Sequence, residues 1–232
     1  MAKISKKRKA FFENVDTSKT FTLEEAIEIL KKYKYTKFDE SIEYHVNLGV
    51  DPKFADQMVR GTTSLPFGLG KIVKVLVFAQ GEKAKEATDS GADFCGAEEL
   101  IEKIQKENFL DFHVALATPD MMKNVSKVAK ILGPRGMMPN PKVGTVTNDI
   151  GKAVKEFKAG KVEFKVDKFG SIHVSIGKIS FDAANIKENF LTLHREIVKA
   201  KPKSLKGVYL KSLYISSTMG PGLRIDANAL NV

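Results

Sequence analysis

Residues 72–78 read IVKVLVF, a run with one polar residue among seven. Polar helical segments and short apolar strands then alternate, at residues 82–90, 92–95, 97–107, 114–117 and 120–132. Strands that are apolar on both sides and alternate with helices indicate a small parallel sheet covered on both faces. The sequence therefore predicts a Rossmann-like α/β segment in the middle of the chain.

The N-terminal flank follows a different pattern. Thr22 and Glu25 have the spacing of a capping box, and residues 22–33 carry apolar side chains at helical spacing. Apolar and polar residues then alternate from Ile42 to Val50, which predicts a strand with one buried face.

The C-terminal flank returns to this alternation. Residues 162–166 and 172–176 alternate on either side of a turn and predict a β-hairpin. A long amphipathic helix over residues 186–197 follows, and we expect a last strand over residues 208–218 to close the chain.

Neither flank carries enough strands to bury its own apolar faces, so we expect the two to pack together. The fold class is α/β with two domains: a discontinuous α+β domain from residues 1–67 and 160–232, and an inserted Rossmann-like domain over residues 68–159. Proline and glycine at the two crossings predict a double hinge. Its residues are Pro66, Phe67, Gly68, Ala159 and Gly160.

Composition points to an anionic partner. The chain has 232 residues, 43% of them apolar, and a formal net charge of +10. The single cysteine, Cys95, excludes an internal disulfide and fits a reducing compartment. No run approaches the length of a membrane span, and no apolar run follows the basic N-terminus, so we expect a cytoplasmic protein without a membrane partner.

The segment from Lys199 to Arg224 holds six cations and no acid. It includes Ser216-Ser217-Thr218-Met219-Gly220-Pro221-Gly222, where small hydroxyls and open backbone suit close approach of a polyanion. A solvated edge strand that ends in a Gly-Pro turn is an equally good interpretation of this segment taken alone.

Enzyme chemistry finds no support. The turn after residues 72–78 lacks the glycine spacing of a dinucleotide site, and Gly68-Leu69-Gly70-Lys71 precedes a strand rather than a helix. The four histidines have neither metal-ligand spacing nor a neighbouring nucleophile. We therefore predict no catalytic residue, no metal and no cofactor.

The segment 133–142, GPRGMMPNPK, predicts a rigid loop. Arg135 and Lys142 are candidates for phosphate contacts, but a structural loop that covers the central sheet is the favoured interpretation.

Several motifs occur together in a fixed order over nearly the whole chain. They are Lys37-Phe38-Asp39-Glu40, Val59-Arg60-Gly61-Thr62, Leu65-Pro66-Phe67-Gly68-Leu69-Gly70-Lys71, residues 131–142, Lys158-Ala159-Gly160-Lys161 and Ser217-Thr218-Met219-Gly220-Pro221. Each motif alone is weak, but together they are specific. The sequence resembles the bacterial ribosomal protein L-one family of the large-subunit stalk.

The resemblance implies that the domain built from both chain ends carries the main RNA contacts. The corresponding residues here are Lys37, Phe38, Ser216, Thr218, Met219 and Gly220, together with Glu163, Lys165, Asp167 and His173 on the predicted hairpin. We expect Phe38 to lie against a sugar or base and the hydroxyls to bond 2′-hydroxyls, while Gly220 allows close backbone approach. For Glu163 and Asp167, a solvated strand face remains an equal alternative.

The resemblance also implies a function. Such a protein binds ribosomal RNA of the large subunit near the exit site, assists release of deacylated transfer RNA, and represses translation of its own messenger RNA. We expect a cytoplasmic monomer within the large ribosomal subunit, with unspecific phosphate attraction from the lysine-rich residues 3–9.

Two rival functions give different expectations. An enzyme acting on a phosphorylated metabolite through the central domain would gain thermal stability from a nucleotide or sugar phosphate. A dedicated translational repressor outside the ribosome would use the same RNA surface, so cofractionation with large subunits distinguishes it.

Overall fold

The computed structural model describes residues 11, 13–16, 19–34 and 36–230, so the lysine-rich residues 3–9 lie outside the described residues. The chain divides into two compact units, one from Met1–Gly70 with Glu163–Val232 and one from Lys71–Val162. We refer to them as the terminal unit and the central unit. In the part of the chain that is described, no helix has both the length and the apolar character needed to cross a membrane.

The elements follow in chain order. The first part of the terminal unit contains β1 (Thr20–Phe21), α1 (Leu23–Lys32), β2 (Ser41–Leu48) and β3 (Arg60–Ser64). The central elements are β4 (Val75–Phe78), α2 (Glu82–Asp89), β5 (Phe94–Gly96), α3 (Glu98–Glu107), β6 (Val114–Ala117), α4 (Met122–Val125), α5 (Ala129–Leu132) and α6 (Ile150–Ala159). The chain continues with β7 (Lys161–Lys165), β8 (Ser171–Lys178), α7 (Ala183–Lys199), β9 (Leu210–Ser217) and β10 (Leu223–Ile225).

A five-stranded sheet forms the centre of the terminal unit, with the strand order β1-β10-β9-β2-β8 among the described residues. β2 lies between β9 and β8 and is antiparallel to both. Its apolar side chains, at Ile42, Tyr44, Val46 and Leu48, are fully buried. Because side chains alternate along a strand, the residues between them lie on the opposite face of the sheet.

Two helices contribute apolar side chains to this core. The capping box predicted at Thr22 and Glu25 is confirmed at the start of α1, where the Thr22 N–H donates to the Glu25 carboxylate at 3.0 Å and the Glu25 N–H donates to the Thr22 hydroxyl at 3.4 Å. The predicted apolar stripe of α7 is also confirmed, since each of its members is fully buried. These residues are Ile186, Phe190, Leu193 and Ile197.

The predicted hairpin is wrong. β7 pairs with β3 in a separate two-stranded sheet, whereas β8 pairs with β2. Beyond the end of β7, the Val166 N–H donates to the Val59 carbonyl, which continues the contact with the β3 side. Alternation therefore identified both strands and their faces, but it did not identify their partners.

The central unit confirms a parallel sheet covered on both faces, with the strand order β5-β4-β6. One buried cluster surrounds Leu76 and Phe78, and a second surrounds Val75 and Val77, so the two faces of β4 enter different cores. The predicted strand began too early, because Ile72 is 89% exposed and β4 starts at Val75.

The single helix predicted over residues 120–132 is wrong. The structure has the short helices α4 and α5 with 3-10 turns at Pro119–Met121 and Ser126–Val128. Asp120 lies inside the first turn rather than at a cap. The Ser126 hydroxyl donates to the Met122 carbonyl at 2.8 Å, a side-chain bond that competes with regular helix geometry.

Two other expectations are resolved. The last predicted strand corresponds to β9, but β10 follows it and pairs with it, so β9 does not close the chain. In the loop after α5, Met137 and Met138 pack against the core around Leu76 and Phe78. This packing supports the structural interpretation of the loop.

Candidate nucleic-acid interface

The terminal sheet has a polar outer face, on the side opposite its buried apolar residues. β2 contributes Glu43, His45 and Asn47 to this face. The strand register places polar residues of β8 and β9 beside them, in three cross-strand rows. The rows are Ser175-Glu43-Ser216, His173-His45-Tyr214 and Ser171-Asn47-Ser212.

His45 joins the three strands at the middle of this outer face. Its Nδ1 lies 2.8 Å from Nδ1 of His173, and its Nε2 lies 2.8 Å from Oγ of Ser216. One imidazole therefore connects two residues, His173 and Ser216, that the resemblance assigns to RNA binding.

Carboxylates flank the two histidines. Glu43 Oε2 lies 3.7 Å from His45 Nε2, and Asp167 Oδ2 lies 3.7 Å from His173 Nε2. Burial and the neighbouring His173 lower the pKa of His45, against an opposing effect of Glu43. For Asp167, burial raises the pKa, but N–H bonds from Ser171 and Phe169 and the nearby His173 outweigh it and lower the pKa overall.

At one end of the sheet, residues 36–41 and 217–220 form two adjacent segments that we call the rim. The Thr218 N–H donates to the Ser41 carbonyl at 3.0 Å, and the Ser41 N–H donates to the Thr218 hydroxyl at 2.9 Å. These bonds continue the β2–β9 pairing beyond the last strand residue. The Thr218 hydroxyl therefore already has a backbone partner in the protein.

A buried carboxylate joins the two segments of the rim. Glu40 is 1% exposed and accepts hydrogen bonds from the Met219 N–H at 3.1 Å and from the hydroxyls of Thr36 and Ser217. Burial raises the pKa of Glu40, but these donors and nearby Lys34 outweigh it, so the pKa is lowered. The ionised carboxylate is thus the acceptor that holds both segments.

The rim presents two large apolar side chains to solvent. Phe38 is 53% exposed and Met219 is 55% exposed, and Lys37 beside them is also exposed. The Phe38 carbonyl accepts from the Thr36 hydroxyl at 3.2 Å, which orders the loop that carries the ring. An exposed ring and thioether beside a lysine can pack on a sugar or base while the cation contacts phosphate.

Gly220 has a local structural reason to be glycine. A Cβ built there would lie 2.4 Å from the Ser217 hydroxyl oxygen, and the Gly220 N–H donates to the Ser217 carbonyl. A side chain at Gly220 would therefore displace the Ser217 hydroxyl, which donates to Glu40. Close approach of RNA to this backbone stays a prediction.

The structure separates the predicted RNA-binding residues into groups. The rim brings together Lys37, Phe38, Thr218, Met219 and Gly220, and the outer face brings together Asp167, His173 and Ser216. Glu163 and Lys165 lie on β7, in the other sheet. Burial raises the pKa of Glu163 against the effects of Lys165 and Arg60.

Sequence reasoning missed Glu40, Glu43 and His45. Glu43 and His45 alternate with buried residues, which identified their face, but their neighbours depend on cross-strand register. Glu40 occurs in a motif that carried the resemblance, yet a single acid before a strand gives no sign of burial.

The predicted hinge residues near Pro66 are bonded to the terminal unit. The buried Asn189 accepts from the Phe67 N–H at 3.2 Å and donates to the carbonyls of Gly68 and Ile176 at 3.1 and 2.8 Å. At the other crossing, Gly160 ends α6 with a φ of 112°, which favours glycine. Hinge motion at either place stays a prediction.

Other chemistry has little basis in the described residues. They contain no group of three or more histidine, cysteine, aspartate and glutamate side chains that is able to hold a metal. Burial raises the pKa of Cys95, and its thiol donates to the Ala84 carbonyl, so this cysteine is poorly suited to act as a nucleophile.

Comparison with known proteins identifies clear relatives. The model of the ribosomal protein L1p/L10e family matches residues 30–221. The chain is 57% identical over 215 residues to a protein named large ribosomal subunit protein uL1 from Solibacter usitatus (strain Ellin6076), covering 93% of this chain and 91% of that protein. A protein of the same name from Thermosipho africanus (strain TCF52B) is 53% identical over 230 residues, covering 99% of each.

Proposed function

The chain belongs to the ribosomal protein L1p/L10e family, and from this premise we propose that it is a structural, non-catalytic component of the large ribosomal subunit that binds ribosomal RNA. The two relatives described above are named large ribosomal subunit protein, and this chain matches each of them over most of its length. The net charge of +10 is compatible with a polyanionic partner.

The observation that carries this proposal is the rim. Phe38 and Met219 are exposed large apolar side chains on the two segments of the rim, and the buried Glu40 connects these segments by hydrogen bonds. Large apolar residues that are exposed on adjacent segments and surrounded by polar residues are typical of a binding surface. Phe38 packs on a sugar or base and Met219 excludes water from the polar contacts around it.

The outer face supplies polar groups for the same RNA. Ser216, His173 and Asp167 offer donors and acceptors that suit 2′-hydroxyls and base edges. Glu163 and Lys165 extend the contact from β7, with Lys165 on phosphate. The combination of hydroxyls and carboxylates favours recognition of RNA shape and 2′-hydroxyls over attraction to phosphate alone.

Within the ribosome, we propose a position at the mobile stalk near the exit site, where the protein assists release of deacylated transfer RNA. Motion of the central unit about residues 66–68 and 159–160 accompanies this role. The same RNA surface binds the protein's own messenger and represses its translation. The protein acts as a monomer in the cytoplasm and contacts no membrane.

The partner is tested by purifying the tagged protein from lysate and sequencing the RNA that accompanies it. We expect large-subunit ribosomal RNA and cofractionation with large subunits for the wild type. The Met219→Ala variant should recover less of this RNA, whereas Ile72→Ala, which removes an exposed aliphatic side chain of the central unit, should match the wild type. Absence of ribosomal RNA from the wild-type sample would reject the proposal. Messenger RNA without large subunits would favour a dedicated repressor.

A further inference from the structure

The two histidines of the outer face form a hydrogen bond between like atoms. His45 Nδ1 and His173 Nδ1 are 2.8 Å apart. Two lone pairs at this distance repel each other, and two N–H groups collide, so a single proton lies between the two atoms. Which of the two Nε2 atoms carries a proton then depends on which histidine supplies the proton between the rings.

We propose that His45 is a positioning residue that sets whether Ser216 donates or accepts a hydrogen bond toward RNA, and that RNA binding to this face takes up one proton at the His45–His173 pair. The proposal rests on the RNA-binding function above. It concerns a residue that the motifs of the rim do not include.

In the neutral pair, the Asp167 and Glu43 carboxylates favour opposite tautomers, because each lies 3.7 Å from the Nε2 of one ring. The Ser216 hydroxyl can donate to an unprotonated His45 Nε2, whereas no donor among the described residues contacts His173 Nε2, so the Asp167 carboxylate determines the tautomers. It faces His173 Nε2 at 3.7 Å, so the His173 proton is most stable on Nε2 and its Nδ1 accepts. His45 therefore donates from Nδ1, and its Nε2 accepts the Ser216 hydroxyl proton at 2.8 Å. In this state Ser216 offers only lone pairs to a ligand.

One added proton reverses the direction of two hydrogen bonds, the one between the two rings and the one between His45 and Ser216. The proton between the rings moves from His45 Nδ1 to His173 Nδ1, and the added proton occupies His45 Nε2. His173 is then an imidazolium that faces Asp167, and His45 remains a neutral ring that donates to Ser216. The Ser216 hydroxyl is released to donate to a phosphate or 2′-oxygen, and the positive charge lies on the side of the incoming polyanion.

The charged and titratable groups around the pair define its balance. Glu43 from β2 lies 3.7 Å from His45 Nε2, Asp167 comes from the turn before β8, and Tyr214 of β9 is paired with His45 in the strand register. The two carboxylates favour the added proton. Burial of His45 and repulsion between the rings oppose it, in agreement with the lowered pKa of His45. An RNA phosphate adds negative charge and shifts this balance toward protonation.

Proton uptake makes affinity depend on pH. Binding that takes up one proton strengthens as the pH falls, by up to about tenfold per pH unit over the range in which the free pair is unprotonated. We expect the dissociation constant for deproteinised large-subunit ribosomal RNA to decrease between pH 8 and pH 6 at constant ionic strength. His45→Gln should lose this dependence, while His113→Gln, which removes an exposed histidine of the central unit, should keep it.

Calorimetry in two buffers of different ionisation enthalpy counts the protons directly. We expect an uptake approaching one proton for the wild type and for His113→Gln near pH 7, and close to none for His45→Gln. Equal uptake by wild type and His45→Gln would overturn the proposal. Tight binding without any uptake would overturn it while leaving the RNA-binding function intact, whereas failure of the wild type to bind at any pH would overturn both.

A spectroscopic measurement tests the pair without substitution, in case His45→Gln does not fold. Nitrogen-15 shifts of the imidazoles distinguish protonated from unprotonated ring nitrogens. In the free protein at pH 8, we expect the proton of His45 on Nδ1 and that of His173 on Nε2. A proton on His45 Nε2 under these conditions would contradict the assigned direction of the hydrogen bonds from Ser216 to His45 and from His45 to His173.

Discussion

Replacing Glu40 by glutamine should weaken both the stability of the terminal unit and its RNA binding. The carboxylate accepts from the Met219 N–H and from the hydroxyls of Thr36 and Ser217, and it is 1% exposed. An amide keeps the shape but replaces one acceptor oxygen by a donor and removes the charge. At least one charge-assisted bond is lost, so the free energy of unfolding should fall by ~1.5–3 kcal/mol.

Urea unfolding of the full chain at pH 7 measures this change, with fluorescence or amide signals assigned to the terminal unit. Glu24→Gln is the matched control, because Glu24 is exposed and its partner Lys187 lies at the surface. We expect the control to unfold with the wild type. A Glu40→Gln protein as stable as the wild type would refute the role of the carboxylate.

The pH dependence of this difference carries a second check. The pKa of Glu40 is lowered in the folded protein, since its hydrogen-bond donors outweigh the opposing effect of burial. Its contribution to stability is therefore complete above the pKa of an unfolded glutamate, about 4.5, and is lost as the pH falls through the folded pKa. The difference between wild type and Glu40→Gln should shrink on acidification. A difference that grows below that pH would contradict the sign.

Three further predictions concern other residues of the terminal unit. In a filter-binding assay, Gly220→Ala should reduce RNA affinity at least tenfold, because its Cβ would lie 2.4 Å from the Ser217 hydroxyl oxygen. A Cβ on Gly222 meets no atom within 4 Å, so Gly222→Ala should bind like the wild type. Burial lowers the pKa of His194 to about 4, so the free energy of unfolding should decline as the pH falls from about 6.5 toward that value. Calorimetric unfolding at several pH values should show a smaller decline for His194→Gln. An equal decline in the variant and the wild type would contradict this prediction. Asn189→Leu leaves the Phe67 N–H without its acceptor and should lower the free energy of unfolding by ~1–3 kcal/mol, with faster hydrogen exchange at the Phe67 amide. Unaltered exchange at that amide would contradict the role of Asn189.

The sequence predicted those elements whose signals are local. The capping box at Thr22 and the apolar stripe of α7 depend on residues a few positions apart, and both are present. The sequence did not predict the break in the helix at Ser126, because helical periodicity gives no sign of a hydroxyl that donates to a carbonyl of the preceding turn. The sequence did not predict that β7 pairs with β3 and β8 with β2, because alternation defines the face of a strand but not its neighbour.

The candidate site follows the same division. Motifs at residues 37–40 and 217–221 identified both segments of the rim. The contact of His45 with His173 depends on β2 and β8 being neighbours in one register, over a separation of 128 residues. The contact of Glu40 with the Met219 N–H likewise joins residues 179 positions apart, which no local pattern indicates.

One titration decides whether the rim formed by the two ends of the chain binds ribosomal RNA. The full-length wild type and a Thr218→Ala/Met219→Ala double variant are titrated into deproteinised large-subunit ribosomal RNA at fixed salt and pH. We expect a dissociation constant at least tenfold higher for the double variant, equivalent to ~1.4 kcal/mol or more, and a dissociation constant for Ile72→Ala equal to that of the wild type. Equal dissociation constants for the folded double variant and the wild type would contradict RNA binding by the rim.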